Sequence, residues 1–170
     1  MPSFDGPYAS EFRDAWTNYG NPFVHGVIAD EEISDAEFAE ILARLTTCVE
    51  GAGMLVTSHD AHGYRVDMNG RGEDPEPANA DLDACDMESG WFPLSIIRAQ
   101  MQSNPQNEDM NEIMAACMVQ NGVVADGYTA KEFARDNPER SFPFLDPKTG
   151  DRAFTECQND PLGLLSGDEK

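Results

Sequence analysis

The sequence is poor in positive charge. Its 170 residues include 11 Lys and Arg against 32 Asp and Glu, so the formal net charge is −21. The acidic residues are spread along the whole chain, which distinguishes it from a neutral domain with an acidic tail. Nucleic acids and anionic membranes are bound through clusters of Lys and Arg, and the sequence contains no such cluster. It therefore predicts no direct binding to either, and a charge that keeps the molecules apart in solution.

Long hydrophobic runs are also missing. The uninterrupted apolar segments are only a few residues long, whereas a transmembrane helix needs about 18 or more. We therefore expect no transmembrane segment within this sequence. Residues 1–7 have neither a basic start nor an apolar stretch, so they do not form a secretion signal.

The common motifs of nucleotide and acyl-transfer chemistry are absent. There is no P-loop and no G-x-G-x-x-G segment, so the sequence predicts no nucleotide chemistry. No serine lies in a G-x-S-x-G elbow, and the only histidines are His25, His59 and His62. His25 lies in an apolar turn and is expected to be packed. We therefore assign no catalytic residue.

The sequence contains four cysteines, Cys48, Cys85, Cys117 and Cys157, and none of them forms a C-x-x-C metal knuckle or redox motif. An even number of widely spaced cysteines in an acidic chain predicts two disulfides and an oxidising compartment. Four buried, reduced thiols in the cytosol are the alternative. Three pairings are open, and we favour nearest neighbours, Cys48 with Cys85 and Cys117 with Cys157.

Hydrophobic periodicity predicts five helices and one β-hairpin. The clearest helix begins at a capping box in residues 34–37 (Ser-Asp-Ala-Glu), and residues 129–132 form a second box. Residues 54–58 and 64–68 flank five loop residues and are typical of a hairpin. The predicted helices cover residues 8–19, residues 34 to the glycines at 51 and 53, 93–103, 107–120, and 129 to about 137.

The remaining segments are predicted to be irregular. Residues 69–90 are mainly Gly, Pro, Asn, Asp and Glu, which favours a long surface loop that carries Cys85. Residues 23–28 form an apolar turn, and residues 164–170 form a flexible tail. We expect one acidic domain over residues 1–163. Its fold class is α+β, mainly α, with amphipathic helices, one hairpin or small antiparallel sheet, and two disulfides.

Few residues are candidates for binding a metal or a ligand. His59, Asp60 and His62 place two imidazoles and a carboxylate at the predicted hairpin tip, a set that suits zinc or copper, although solvated turns have the same composition. Residues 81–92 lack the glycine and final glutamate of an EF-hand, so calcium is expected only as loose association with carboxylates. No resident cofactor is assigned. Trp91 and Tyr64 are candidate ligand-binding aromatics, with a place in the core as the alternative.

Three cysteine-containing segments carry a resemblance to a known group of proteins. Residues 33–38 open a capped helix that reaches Cys48, and Gly53 follows five residues later. The same spacing separates Cys117 from Gly122, and residues 157–163 begin with Cys-x-x-x-Pro. In these features the sequence resembles uncharacterised secreted or lipid-anchored domains of actinobacterial cell envelopes. The resemblance covers about two-thirds of the chain, implies a similar fold and location, and brings no catalytic residues.

Together these features predict a non-enzymatic domain outside the cytoplasm, either secreted or membrane-anchored, that binds a protein or an envelope component. A targeting segment before Pro2, outside this sequence, is then expected. The first alternative is a metal- or carboxylate-dependent hydrolase acting on cell-wall material. The second is an acidic mimic of nucleic acid that inhibits a protein with a basic groove.

Overall fold

Helices dominate the structure, a computed structural model that describes residues 1–60, 63–71 and 75–165. The chain forms two compact units, Met1–Ala99 and Gln100–Lys170. The first unit contains a two-stranded antiparallel sheet besides its helices, so the fold is α+β and mainly α, as predicted. The prediction of one domain over residues 1–163 stays a prediction.

The elements follow one another along the chain with short connections. The first unit contains α1 (Ala9–Asn18), α2 (Pro22–Val27), α3 (Asp35–Gly51), β1 (Leu55–Asp60), β2 (Gly63–Asp67), α4 (Pro75–Ser89) and most of α5 (Trp91–Ser103). The second unit contains α6 (Met110–Gln120), α7 (Ala130–Asp136) and α8 (Gly150–Asn159). Short 3₁₀ turns follow α2 at Ile28–Asp30 and α7 at Asn137–Glu139.

Both predicted capping boxes are present. The hydroxyl of Ser34 accepts a hydrogen bond from the Glu37 amide (3.3 Å), and the Glu37 carboxylate accepts one from the Ser34 amide (2.9 Å). Thr129 and Glu132 make the same reciprocal pair at the start of α7. Each box satisfies amides that the first turn of a helix leaves without an internal partner, so these two predicted helix starts are confirmed.

The first unit has its core between α3 and the surrounding helices. Ile41, Leu45 and Val49 lie on one face of α3 and are completely buried. This face explains why α3 is the longest helix described here, because burial of an apolar stripe supplies most of the stability of a helix in a protein. A disulfide between Cys48 and Cys85 joins α3 to α4, as the favoured pairing predicts.

The second unit is packed around aromatic rings. Phe154 on α8 lies 4.6 Å, centre to centre, from Phe142, and Phe133 on α7 contacts both rings. The second predicted disulfide, Cys117–Cys157, joins α6 to α8 beside this cluster. A side chain at Gly150 would collide with the ring of Phe144, so α8 approaches the aromatic cluster closely at its first residue.

The prediction of a loop over residues 69–90 is wrong for residues 75–89, which form α4. Ala78 and Cys85 are buried on one side of this helix, and residues 72–74 lie outside the described part. The helix contains few large apolar residues because its buried side packs closely against α3 and is tied to it by the disulfide. Small residues at this spacing are a weak sequence signal, and tertiary contacts override the low local preference.

Two other segments also differ from the expected irregular structure. Residues 23–27 of the expected turn at 23–28 belong to α2 (Pro22–Val27), whose start has an Asn cap followed by Pro at the first helical position. Residues 150–159, for which the sequence predicts no helix, form α8. The strands of the predicted hairpin reach Asp60 and Gly63, with a register irregularity between Val56 and Ser58.

The two units share the same helix ending. Cys48 and Cys117 each lie one turn before the end of a helix, and Gly53 and Gly122 follow five residues later with positive φ angles of 82° and 63°. In each unit the amide of the fourth residue after the cysteine donates to the carbonyl of the cysteine. The amide of the fifth residue donates to the carbonyl of the second residue after the cysteine, and the amide of the sixth to the carbonyl of the first. This is a Schellman-type cap, which needs glycine because its last turn is left-handed.

The chain ends beyond the second disulfide. The amides of Leu164 and Leu165 donate to the carboxylate of Asp160 at 2.7 and 3.0 Å, and residues 166–170 of the expected tail lie outside the described part.

Among the helices of the described residues, none has the length and apolar character required to cross a membrane.

Candidate binding cleft

The first unit has an open cleft of about 830 Å³ where the ends of three helices meet the middle of α3. We call it the α1–α4 cleft. The end of α1, the start of α2 and the end of α4 form its walls, and Arg44 reaches into it from α3. Its lining residues are Asn18, Tyr19, Asn21, Pro22, Phe23, Arg44, Ala84, Met87 and Glu88.

Asn21 fixes the walls of the cleft relative to one another. Its side-chain oxygen accepts from the amides of Phe23 and Val24, both at 2.9 Å, and so caps α2. Its side-chain amide donates to the carbonyls of Met87 and Glu88 at 3.3 and 3.2 Å. These carbonyls belong to the last turn of α4, where helix carbonyls lack internal partners. One side chain therefore satisfies two helix ends and holds them together.

Arg44 is oriented by two neighbours. Its guanidinium carbon lies 3.8 Å from the centre of the Phe23 ring, the geometry of a cation–π contact. Its Nε and Nη2 atoms both donate to the same carboxylate oxygen of Glu40, at 3.0 and 2.8 Å. The Arg44 charge is therefore locally balanced by Glu40, while 46% of the side chain remains exposed.

Apolar surface extends from the cleft onto α5. Tyr19 packs edge to face with Phe92, with 5.2 Å between ring centres. Phe92 is 36% exposed and Met87 is 40% exposed, although both are large apolar side chains. Among the aromatic residues described in this unit, Phe92 is the exposed exception, and it lies beside the cleft. Exposed apolar groups of this kind are typical of binding surfaces.

A smaller depression of about 450 Å³ lies on the other side of Arg44. It includes Glu40 and Glu88 together with residues of α3 around Cys48. Arg44 and Glu88 line both hollows. Among the described residues that line the cleft, Glu88 is therefore the one carboxylate and Arg44 the one basic residue, and Glu40 lies in the adjoining depression.

The candidate metal residues fall partly outside the described chain. His59 is exposed in β1, but His62 lies outside the described residues and the side chain of Asp60 is likewise not described. Elsewhere in the described ranges, no three His, Cys, Asp or Glu side chains are grouped so that they could hold a metal ion. The His59–Asp60–His62 site for zinc or copper, and loose calcium association, stay predictions.

Trp91 and Tyr64, the candidate aromatic ligand-binding residues, lie together. Trp91 is only 6% exposed and packs against Phe38 and the edge of Tyr64. The Tyr64 hydroxyl donates to Asp86 at 2.6 Å, beside a depression of about 600 Å³ that also includes Asp83. Burial and the Asp83 charge raise the pKa of the Asp86 carboxyl, and burial together with Asp86 raises the pKa of Tyr64. The Trp91 ring thus belongs to the core, and Tyr64 presents its hydroxyl to Asp86.

The second unit has its polar features around the disulfide and α7. Cys117 and Cys157 are 6% and 1% exposed, and the Asn121 side-chain amide donates to the Cys117 carbonyl at 3.0 Å. This shielding suits a structural disulfide and disfavours thiol exchange. Asp136 is buried, pairs with Arg135 and accepts from the Tyr128 hydroxyl at 3.0 Å. The hydrogen bond from Arg135 lowers the pKa of the Asp136 carboxyl.

Sequence reasoning missed the α1–α4 cleft. The sequence predicts a helix that ends at residue 19 and a loop that includes residues 87 and 88, so it does not bring these residues together. The one available signal is Asn21-Pro22, because an N-cap followed by proline marks a helix start at the site where the walls meet. No protein-family model matches the chain, and neither a curated protein nor a solved structure shows significant similarity to it.

Proposed function

We propose that this chain is a non-enzymatic binding domain that works outside the cytoplasm, either secreted or anchored to a membrane. The observation that carries the proposal is the α1–α4 cleft, a partly exposed group of aromatic, Met and Arg side chains on a unit that contains a disulfide. Tyr, Arg, Met and Phe are the residues enriched in protein interfaces. The two helix ends that form the walls are already joined through Asn21, so binding needs little ordering of the site.

The disulfides support the location. Each unit contains its own, Cys48–Cys85 and Cys117–Cys157, and the described residues include no free cysteine. Cytosolic proteins keep their thiols reduced, whereas secreted and envelope proteins use disulfides to stabilise small cores. The shared cysteine-to-glycine helix ending gives a structural basis for the motif on which the resemblance to actinobacterial envelope domains rests. That resemblance is part of the proposal.

The location is tested on protein isolated from its own cells without reductant. The intact mass of the protein should increase by four hydrogens on reduction. The protein should be present in the culture medium, or it should be digested when protease is added to whole cells. A protein that has four free thiols and is protected inside intact cells would overturn the proposal. The same material should show no hydrolysis of purified cell-wall polymer with or without added zinc, and zinc-dependent hydrolysis would favour the hydrolase alternative.

A further inference from the structure

We propose that the α1–α4 cleft takes a basic segment of a partner protein, with one or two apolar side chains as its anchor. This inference rests on the proposed binding function and names the class of partner. It depends on two properties of the cleft: an apolar floor that an anchor can cover, and an acidic border that favours lysine and arginine.

The apolar floor has the form of a small anchor site. Tyr19, Phe23 and Met87 line the cleft together with the small side chain of Ala84, and Phe92 extends the floor from Tyr19. Methionine adapts its shape to different apolar partners, and aromatic side chains supply large contact areas at low entropic cost. The binding energy of protein interfaces is concentrated in such clusters, which a partner's leucine or aromatic side chain would desolvate.

Charge selects a basic partner. The first unit contains 19 acidic and 5 basic residues, a net charge of −14. Glu88 lines the cleft, and Glu40 beside it already matches the charge of Arg44 at 2.8 Å, so Glu88 supplies the negative charge of the acidic border. An acidic segment would meet like charge on approach, whereas a basic one is attracted over a longer range and pairs with Glu88 on arrival.

The chemistry of the cleft lining favours a protein segment over a glycan. The lining includes Pro22, Ala84 and Met87, whose side chains offer no hydrogen bonds to sugar hydroxyls. Both functional ends of the Asn21 side chain are already occupied by backbone groups. A neutral sugar would also make no use of the acidic border. A neutral oligosaccharide therefore serves as the competing probe in the test.

The test uses the full chain with both disulfides intact and four probes. The first is a fluorescent peptide of twelve residues in which lysines flank two central leucines. The second replaces the leucines with glycine, the third replaces the lysines with glutamate, and the fourth is chitotetraose. Titration at about 0.15 M salt, where long-range attraction is largely screened, should give saturable binding of the first peptide. We expect affinity about tenfold lower without the leucines, and no binding of the acidic peptide.

Two matched pairs of variants locate the site. Met87→Ala removes an apolar lining side chain that is 40% exposed, and Met110→Ala removes one of similar exposure (43%) in the second unit. Glu88 and Glu50 are each the penultimate residue of a helix, α4 and α3, so Glu88→Lys and Glu50→Lys change the net charge equally. Met87→Ala and Glu88→Lys should each weaken binding of the basic peptide about three- to tenfold. The control variants Met110→Ala and Glu50→Lys should weaken it less than twofold.

Three results would overturn the inference: no saturable binding of the basic peptide, equal effects within each pair of variants, or binding of chitotetraose that Met87→Ala weakens. These results are distinct from failure of the proposed location. Reduced thiols in a protected intracellular protein would be seen by mass and protease measurements, and they would leave the peptide titrations unchanged.

Discussion

Asp86 and Asp136 each accept a hydrogen bond from a tyrosine hydroxyl, but the pKa values of their carboxyls shift in opposite directions. Burial and the Asp83 charge raise the pKa of Asp86, against the opposing hydrogen bond from Tyr64. The bond from Arg135 lowers the pKa of Asp136. The two residues therefore make opposite contributions to the dependence of stability on pH, because a group that binds protons more tightly in the folded state stabilises it only when protonated.

Asp86→Asn should stabilise the protein at neutral pH. The amide still offers an oxygen to the Tyr64 hydroxyl, but it removes a half-buried charge and its repulsion from Asp83. In the wild type, ionisation of Asp86 lowers the free energy of unfolding as the pH rises from the ordinary carboxyl value, about 3.9, through its raised pKa. The variant lacks this contribution. Urea unfolding across pH 3 to 7 should thus show an advantage of the variant that grows with pH.

Asp14→Asn is the control for this measurement. Asp14 is exposed on α1, and its substitution reduces the net negative charge by the same amount. It should give no gain that grows over this pH range. Equal gains from both variants would mean that general charge repulsion, rather than the site around Asp86, causes the effect.

Asp136→Asn should have the opposite result. Asp136 accepts from Arg135 Nε at 2.6 Å and from the Tyr128 hydroxyl at 3.0 Å, and an amide cannot replace the ion pair. The stability that this group contributes is present above the ordinary carboxyl value and is lost as the pH falls through its lowered pKa. The variant should be less stable at pH 7, and the difference should shrink below about pH 4. A difference that persists at pH 2 would point to packing instead.

The parts of the fold that local chemistry determines could be predicted from the sequence. The caps at Ser34 and Thr129 depend on residues three positions apart, so the pattern carries the whole interaction. The hairpin follows from alternation over a short segment. The pairing of the cysteines was favoured only by distance along the chain, and its success owes to each pair lying within one compact unit.

The parts that depend on distant contacts could not be predicted. Helix α4 has almost no large apolar residues, and its stability comes from α3 and from the bond between Cys48 and Cys85. The α1–α4 cleft depends in turn on α4, because Met87 and Glu88 reach Asn21 only when residues 75–89 are helical. A mistaken loop therefore hid the candidate site as well as the helix. The metal site at His59, Asp60 and His62 stays a prediction, because His62 and the side chain of Asp60 lie outside the described part of the chain.

Removal of either disulfide should destabilise the unit that contains it. Alanine pairs are preferred, Cys48→Ala with Cys85→Ala and Cys117→Ala with Cys157→Ala, because Cys85, Cys117 and Cys157 are buried and a serine hydroxyl there would lack a partner. The sequence separations are 37 and 40 residues, so loop entropy predicts similar losses of about 4 kcal/mol each. Hydrogen exchange should show loss of protection in α3 and α4 for the first pair, and in α6 and α8 for the second. Unchanged protection in the affected helices would contradict this.

The shared helix ending predicts that Gly53→Ala and Gly122→Ala have equal costs. Both glycines have left-handed φ angles, and an added Cβ meets no neighbouring atom within 4 Å at either site, so backbone strain alone sets the loss. That strain is about 1–2 kcal/mol for an alanine. Gly51→Ala is the matched control, since Gly51 also has open space but ends α3 without a positive φ. There alanine should be neutral or stabilising by up to about 1 kcal/mol. If Gly53→Ala and Gly51→Ala unfold at the same denaturant concentration, the left-handed cap contributes nothing, and the correspondence between the two units has no energetic consequence.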